Sequence, residues 1–263
     1  MDLVERAQGG DPAAVEELIV SVQDRIYGLA VRMLGHVADA EDATQEILVK
    51  LATRLSSFRG DSTFVTWAYS VAINHLRSFR RSRPEDYGLS FDSFGQIIDE
   101  GAAGDPAPSG QAAVLAEEVR IVCTTGMLLC LDREHRLAYL LGEVLELAGD
   151  EAAAVLEISV DAFRMRLMRA RRDLLEFVQK RCGVYDGANR CRCSTQVPYA
   201  SRNGMLDPAR LTFAVHSRRA ANPERDEMLG LLDVAAVFRS HPDYAAPDKL
   251  VEALQKILST HQN

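Results

Sequence analysis

Residues 150–175 read DEAAAVLEISVDAFRMRLMRARRDLL, and they have the form of a helix–turn–helix motif. A short apolar helix over about 150–156 precedes a tight turn at 156–159, where Ser159 is suited to cap the next helix. That basic helix, predicted over about 160–181, places apolar side chains at three- and four-residue spacing and arginines on its other faces. Such a helix fits the major groove of DNA, where arginine reaches phosphates and guanine edges.

The basic helix also has a second interpretation, in which it is one arm of a helical hairpin whose charged face is only solvated. A glycine is usual in the turn of the DNA-binding motif, and Glu157 stands in its place. Both interpretations stay open on the residues of this segment alone.

A second candidate DNA-binding face lies on a helix predicted over about 63–81. Residues at steps of three and four align on that face: Thr63, Trp67, Ser70, Asn74, Arg77 and Arg81. The combination of an aromatic ring, an amide and cations is typical of surfaces that stack and hold unpaired bases. The alternative is that Trp67 belongs to the core and that the arginines are only solvated.

The charge distribution supports two nucleic-acid contacts. The chain of 263 residues has 30 Lys and Arg against 38 Asp and Glu, a net charge of −8 that argues against a simple nucleic-acid coat. Residues 84–119 contain no Lys or Arg and eight acidic residues, and basic segments at 77–83 and 160–181 flank them. We therefore predict two basic nucleic-acid contacts joined by an acidic linker.

The remaining pattern is helical. Apolar periodicity predicts helices over 12–34, over 39–57 with Asp39 as the cap, and over about 111–131 and 132–147. Glycine and proline predict irregular chain over 84–110, and 183–222 also lacks a period, whereas 223–239 and 247–260 return to helix. No strand is predicted, so the fold class is all-α. No apolar run approaches the ~20 residues of a membrane helix, and no leader is recognised, so we expect a cytoplasmic protein without membrane contact.

Five cysteines in a cytoplasmic chain do not indicate a disulfide framework. Cys123 and Cys130 lie in an apolar helical pattern and are expected in the core. A candidate metal site comprises Cys182, Cys191, Cys193 and His216, whose donors suit zinc or copper, although the spacing is not that of a zinc finger. The alternative is that these thiols are reduced and bind nothing.

The order of several motifs resembles the extracytoplasmic-function (ECF) sigma factors of the sigma-70 family. Residues 39–46 (DAEDATQE), 58–62 (FRGDS), 64–67 (FVTW), 72–74 (AIN) and 80–81 (RR) resemble region two of that family. Residues 131–136 (LDREHR), 151–156 (EAAAVL), 158–160 (ISV) and 166–172 (RLMRARR) resemble region four. The resemblance covers about residues 10–180. It implies region two at 1–83, an acidic linker at 84–110, region four at 111–181 and an extension at 182–263.

The resemblance also implies roles for individual residues. The face that docks on the clamp helices of core RNA polymerase would comprise Asp42, Gln45, Glu46, Val49 and Lys50. The minus-ten element would contact Phe58, Arg59, Ser62, Thr63, Trp67, Asn74, Arg77, Arg80 and Arg81. The minus-thirty-five element would contact Ser159, Asp161, Arg164, Arg166, Arg169, Arg171 and Arg172. The acidic linker would thread the nucleic-acid channel of the polymerase.

We therefore expect a sigma factor that binds bacterial core RNA polymerase, recognises and melts promoter DNA, and requires neither catalysis nor a cofactor. The extension at 182–263 is expected to regulate the chain, and an anti-sigma factor is a further expected kind of partner. The alternative is a stand-alone helix–turn–helix regulator, which would leave the face with Trp67 and Asn74 without a use. An enzyme is disfavoured, since the chain has no phosphate-binding glycine loop and its histidines lie far apart.

Overall fold

The computed structural model describes residues 2–80, 83–104, 112–213, 234–239 and 244–250. Its helices are α1 (Leu3–Gln8), α2 (Pro12–Leu34), α3 (Val37–Arg54), α4 (Phe64–Ser78), α5 (Arg83–Asp86), α6 (Phe91–Gly101), α7 (Ala112–Cys130), α8 (Arg133–Tyr139), α9 (Gly149–Val155), α10 (Val160–Arg181), α11 (Cys193–Arg202) and α12 (Val234–Arg239). A 3₁₀ turn (Leu55–Ser57) follows α3, and a π-helical turn (Leu140–Val144) follows α8. These residues contain no β-strand, and the all-α prediction is confirmed.

Helices α1–α4 form an N-terminal bundle, and α7–α10 form a second bundle beside it. The long helix α2 begins where the Asp11 side chain accepts hydrogen bonds from the backbone of Ala13 and Ala14. It ends at Gly35, whose φ of 65° suits glycine. A Cβ on Gly35 would lie 2.7 Å from Leu129 of α7, so the two bundles approach closely there. Most buried apolar residues of both bundles belong to one continuous core.

Helix α3 begins two residues before the predicted position, and its cap is not Asp39. Instead, the His36 imidazole accepts a hydrogen bond from the backbone of Asp39 at 3.3 Å. The Asp39 carboxylate is buried and accepts a hydrogen bond from the Arg80 guanidinium at 2.7 Å. A charged partner holds a carboxylate more strongly than the backbone amides at the helix start, which explains why the prediction was wrong.

The sequence predicts irregular chain throughout the acidic linker, but the structure contains a helix there. Ser90 caps the eleven-residue helix α6, whose Phe94 and Ile98 are buried. The ring of Phe94 stacks on Phe177 of α10 with centroids 5.6 Å apart, and it also contacts the backbone at Gly126 of α7. The sequence did not predict this helix, because glycines and acidic residues surround its few apolar side chains. A helix this short is stable only when those side chains pack on the second bundle.

In the second bundle, α10 covers the predicted residues 160–181 and is capped by Ser159. The turn before it places Glu157 in the left-handed region, with φ of 57°. That conformation favours glycine, so Glu157 carries backbone strain.

Part of the extension folds onto the linker and the second bundle. Helix α11 packs against α6 and α7, and Val197 and Ala200 join Val119 and Leu206 in a small apolar cluster. The prediction of irregular chain over 183–222 was therefore wrong for α11, whose apolar face outweighs the donor lost at Pro198. Of the helix predicted over 223–239, the structure describes 234–239, and of that predicted over 247–260 only the first residues.

Candidate nucleic-acid interface

The outer face of α10 presents basic side chains to solvent. Apolar residues of the helix are buried, and Ser159 caps it by accepting a hydrogen bond from the Ala162 backbone at 3.2 Å. Arg164 and Arg172 have side chains 72% and 67% exposed, and Arg169 is also exposed. The ion pairs of Arg164 and Arg172 join them to residues of the same helix, such as Arg164 with Asp161 at 3.5 Å. Exposed pairs of this kind are weak, so phosphates can displace them.

Two further arginines of α10 point toward their own bundle. Arg166 donates to the Glu134 carboxylate of α8 at 2.5 Å. Arg171 donates from Nε to the Glu143 carboxylate at 2.7 Å, and that carboxylate is largely buried. Arg164, Arg169 and Arg172 thus lie on the outer face of α10, whereas Arg166 and Arg171 bind carboxylates of α8 and of the π-helical turn.

Helix α4 carries an open groove of about 480 Å³ between itself and α3. Thr63 caps α4, and Trp67 packs against Phe58 and Phe64 with ring centroids 5.5 and 5.7 Å away. Trp67 is half-buried. The alternative that it is a core residue therefore holds for only part of its ring, and the rest is accessible in the groove. The groove is lined by Lys50, Arg54, Ser57, Trp67, Ser70, Val71, Asn74, His75, Ser78 and Glu157. An aromatic platform among cations and amides is suited to unpaired bases.

His75 is a residue of this groove that the sequence analysis missed. Its Nδ1 lies 2.5 Å from the Lys50 ammonium, and its ring is 7% exposed. Burial, followed by the positive charge of Lys50, lowers the pKa of His75 below its usual value. The neutral ring therefore accepts a hydrogen bond from the Lys50 ammonium and fixes that cation in the groove. The feature of the sequence that could have indicated His75 is its position next to Asn74, a predicted residue of the same face.

The predicted polymerase-binding residues share the outer face of α3. Asp42, Gln45 and Glu46 are exposed, whereas Val49 and Lys50 are half-buried where that face meets the groove. They are three or four residues apart, opposite the buried face of the helix.

The remaining predicted minus-ten residues lie in three settings. Arg59 and Ser62 are exposed in the turn before α4, and Phe58 is half-buried beside Trp67. Arg80 pairs with Asp39 and lies 3.7 Å from Asp42. Arg81 lies outside the described residues.

The second bundle covers part of α4. Arg77 forms two hydrogen bonds to the Glu134 carboxylate, at 3.0 and 3.2 Å. Asn74 donates to Glu157 at 3.1 Å, and Thr66 donates to Glu151 at 2.6 Å. Three side chains on or beside the predicted minus-ten face are thus bound to carboxylates of the second bundle, each more than 50 residues later in the sequence.

The cysteines of the extension do not form a metal site within the described residues, which contain no group of three His, Cys, Asp or Glu side chains arranged for a metal. Cys182 and Cys191 form a backbone bridge, and Cys193 begins α11. Burial raises the pKa of the Cys193 thiol to about 12 and also raises that of Cys191. His216, the fourth predicted ligand, lies outside the described residues.

In the described part of the chain, no helix is both long and apolar enough to cross a membrane.

The aromatic and cationic groove and the capped basic helix are both suited to binding nucleic acid. Residues 18–84 match the Sigma-70 region 2 family. The RNA polymerase sigma-H factor of Pseudomonas aeruginosa is 33% identical over 172 residues, which cover 64% of this chain and 88% of that protein. The ECF RNA polymerase sigma-E factor of Escherichia coli K12 is 33% identical over 184 residues, which cover 67% of this chain and 93% of that protein.

Among solved structures, CnrH in complex with the cytosolic domain of CnrY shares the fold, with a TM-score of 0.50 and 23% identity over 68% of this chain and 96% of that chain. The identity to the sigma-E factor over nearly its whole length is decisive. This chain belongs to the ECF sigma factors of RNA polymerase.

Proposed function

We propose that this sigma factor acts in the cytoplasm, binds bacterial core RNA polymerase and places it on promoter DNA. Its α3 face contacts the polymerase, its groove holds the melted minus-ten strand, and its α10 face contacts the minus-thirty-five duplex. The observation that carries this proposal is the presence of two different DNA-binding chemistries on one chain. A groove with an aromatic platform suits single strands, and a basic helix behind a capped turn suits a major groove.

Each surface contributes a different part of the interaction. Exposed Arg164, Arg169 and Arg172 supply phosphate contacts that position the duplex, and side chains at the start of α10 reach base edges. Trp67 offers a ring on which an unpaired base stacks, and Asn74 offers an amide that reads a base edge. Melting follows from this preference, because a groove that binds only unstacked bases stabilises the open strand.

The chain supplies binding and positioning in this proposal, and bond formation belongs to the polymerase. No cofactor enters it. A metal at the extension stays a separate proposal, which metal analysis of the purified full chain would test.

The test is run-off transcription with purified core polymerase, using the DNA upstream of the chain's own gene as template. We expect a specific start with the wild-type chain and its loss when Trp67→Ala and Asn74→Ala are combined. The matched control is Gln179→Ala, an exposed residue of α10 far from the groove, which should leave the transcript unchanged.

A stand-alone regulator predicts a different result. It would bind duplex DNA tightly without the polymerase, and it would neither bind core polymerase in a pull-down nor produce a transcript with it. That outcome would overturn the proposal.

A further inference from the structure

We propose that the free chain is held closed by a carboxylate clasp, in which Glu134 of α8 binds one predicted DNA-contacting arginine from each bundle. This inference rests on the proposed function, since it assigns a regulatory state to the same two DNA-binding faces. In the clasp, carboxylates of the second bundle stand where DNA would otherwise contact the chain.

Glu134 is the centre of the clasp. One carboxylate receives Arg77 of α4 through two hydrogen bonds, at 3.0 and 3.2 Å, and Arg166 of α10 at 2.5 Å. The side chains of Arg77 and Arg166 are 23% and 29% exposed. A paired arrangement of guanidinium and carboxylate matches the geometry with which arginine binds phosphate, so a DNA phosphate and Glu134 compete for the same donors.

Arg133, the neighbour of Glu134, anchors the same junction. Its guanidinium donates to the carbonyl groups of Leu76 and Phe79 at 3.0 and 2.7 Å, at the end of α4 where helix carbonyls lack intrahelical partners. It also pairs with the buried Glu85 carboxylate at 2.6 Å. The end of α4 is thereby fixed to the start of α8, which places Arg77 beside Glu134.

The strained turn before α10 contributes a third contact. Glu157 has φ of 57°, a conformation that costs a non-glycine residue about 1–2 kcal/mol. Its carboxylate accepts a hydrogen bond from Asn74 at 3.1 Å and lines the groove that contains Trp67. Backbone strain at a residue whose side chain closes a binding groove points to a function for that side chain.

The clasp leaves the polymerase-binding face uncovered. Asp42, Gln45 and Glu46 are exposed on α3 while Arg77 and Asn74 are bound to the second bundle. Core polymerase can therefore bind the closed chain first, and separation of α4 from the second bundle then frees Arg77 and Asn74, whereas Arg164, Arg169 and Arg172 of α10 are exposed throughout. This order keeps the free sigma factor from occupying DNA without the polymerase.

The test compares Glu134→Gln with Glu176→Gln in the full-length chain. Both variants remove one carboxylate from the second bundle, but within the described residues the ion pair of Glu176 is with Lys180 of its own helix. The probe is a fluorescent fork DNA with a single-stranded arm, since phosphate contacts do not depend on sequence. We expect free Glu134→Gln to bind the probe about fivefold to tenfold more tightly than wild type, which corresponds to about 1–1.4 kcal/mol, and Glu176→Gln to differ by less than twofold.

Small-angle X-ray scattering of the free proteins provides a readout without DNA. We expect a larger radius of gyration for Glu134→Gln and no change for Glu176→Gln. Glu151→Gln, which loses the contact to Thr66, should shift both measurements in the same direction, and it serves as a second variant if Glu134→Gln does not fold.

Equal DNA affinity and equal radius of gyration for Glu134→Gln and wild type would overturn the clasp. If wild type nevertheless gives a transcript with core polymerase, the proposed function stands and only the clasp fails. If wild type gives neither transcript nor polymerase binding, the proposed function itself has failed.

Discussion

At the scale of single residues, the DNA-binding faces depend on side chains whose partners are distant in sequence. Arg77 and Glu134 are separated by 57 residues, and Asn74 and Glu157 by 83. Arg77 and Asn74 share one face of α4, as helical periodicity predicts. The carboxylates of the other bundle that cover this face could not be predicted from the sequence, since no local pattern encodes the contact.

Glu157 provides a direct test of strain in the turn. We expect Glu157→Gly to raise the free energy of unfolding by about 0.5–1 kcal/mol, because glycine adopts a positive φ without steric cost. Urea denaturation measures the change. Glu157→Ala removes the same carboxylate without relieving the backbone, so its stability should equal or fall below that of wild type. Greater stability for the alanine variant than for the glycine variant would contradict this account.

His75 should give the groove a pH dependence. Its pKa lies below the usual value of 6.5 in the folded chain, so the unfolded chain binds the proton more readily. The stability contributed by neutral His75 is therefore complete above about pH 6.5 and is lost as the pH falls toward the folded-state pKa. We expect wild type to lose more stability than His75→Gln between about pH 7.5 and 5.5 in urea denaturation. Equal losses in both proteins would show that the imidazole is not responsible.

At the scale of helices, the sequence predicted the bounds of long helices with a capping residue, but it did not predict a short helix that is stabilised by packing on other helices. The bounds of α2 and α10 agree with the sequence because Asp11 and Ser159 cap them. Helix α6 was missed because its stability derives from packing of Phe94 and Ile98 on other helices, not from local signals. Helix α3 begins early, at Val37, because His36 caps it. The Asp39 carboxylate is bound to Arg80 and does not act as the cap.

Gly126 and Gly149 differ in how much space surrounds them, so substituting each by alanine tests the packing of α6. A Cβ at Gly126 would lie 2.6 Å from the ring of Phe94, whereas one at Gly149 meets only Phe163, at 3.9 Å. We expect Gly126→Ala to lower the free energy of unfolding by about 1–3 kcal/mol through overpacking of α6. Gly149→Ala should raise it by about 0.4–1 kcal/mol, because alanine reduces the entropy of the unfolded chain. Thermal denaturation compares them, and equal effects of the two substitutions would refute the docking of α6 on α7.

At the scale of the whole molecule, the extension is part of the fold. Its Gln196 donates to the carbonyl of Ile98 at 2.7 Å, and its Ala246 donates from the backbone to Asp24 of α2 at 2.9 Å. The buried Glu118 carboxylate accepts hydrogen bonds from the backbone of Thr212 and Phe213. The sequence predicted irregular chain over 183–222 and two helices after it. No local pattern could reveal these contacts, because they join the extension to three distant parts of the chain.

Truncation after Arg181 should therefore destabilise the chain. It removes two backbone donors from Glu118 and uncovers Val119 of the small apolar cluster. We expect a drop in the thermal midpoint of several degrees or more, measured by circular dichroism, since a buried carboxylate that loses donors costs about 1–3 kcal/mol or more. A chain ended after Leu250 keeps the described contacts of the extension and is the matched control. Equal midpoints for both truncations would contradict a structural role of the extension.

The central claim is that one chain holds the melted minus-ten strand on α4 and the minus-thirty-five duplex on α10. Photo-crosslinking in the complex with core polymerase tests it most directly, with reactive bases placed in each promoter element and adducts mapped by mass spectrometry. We predict minus-ten adducts on the peptide that contains Trp67 and minus-thirty-five adducts on the peptide that contains Arg169. Adducts of both elements on α10 alone, with none on α4, would contradict the claim and indicate a duplex-binding regulator.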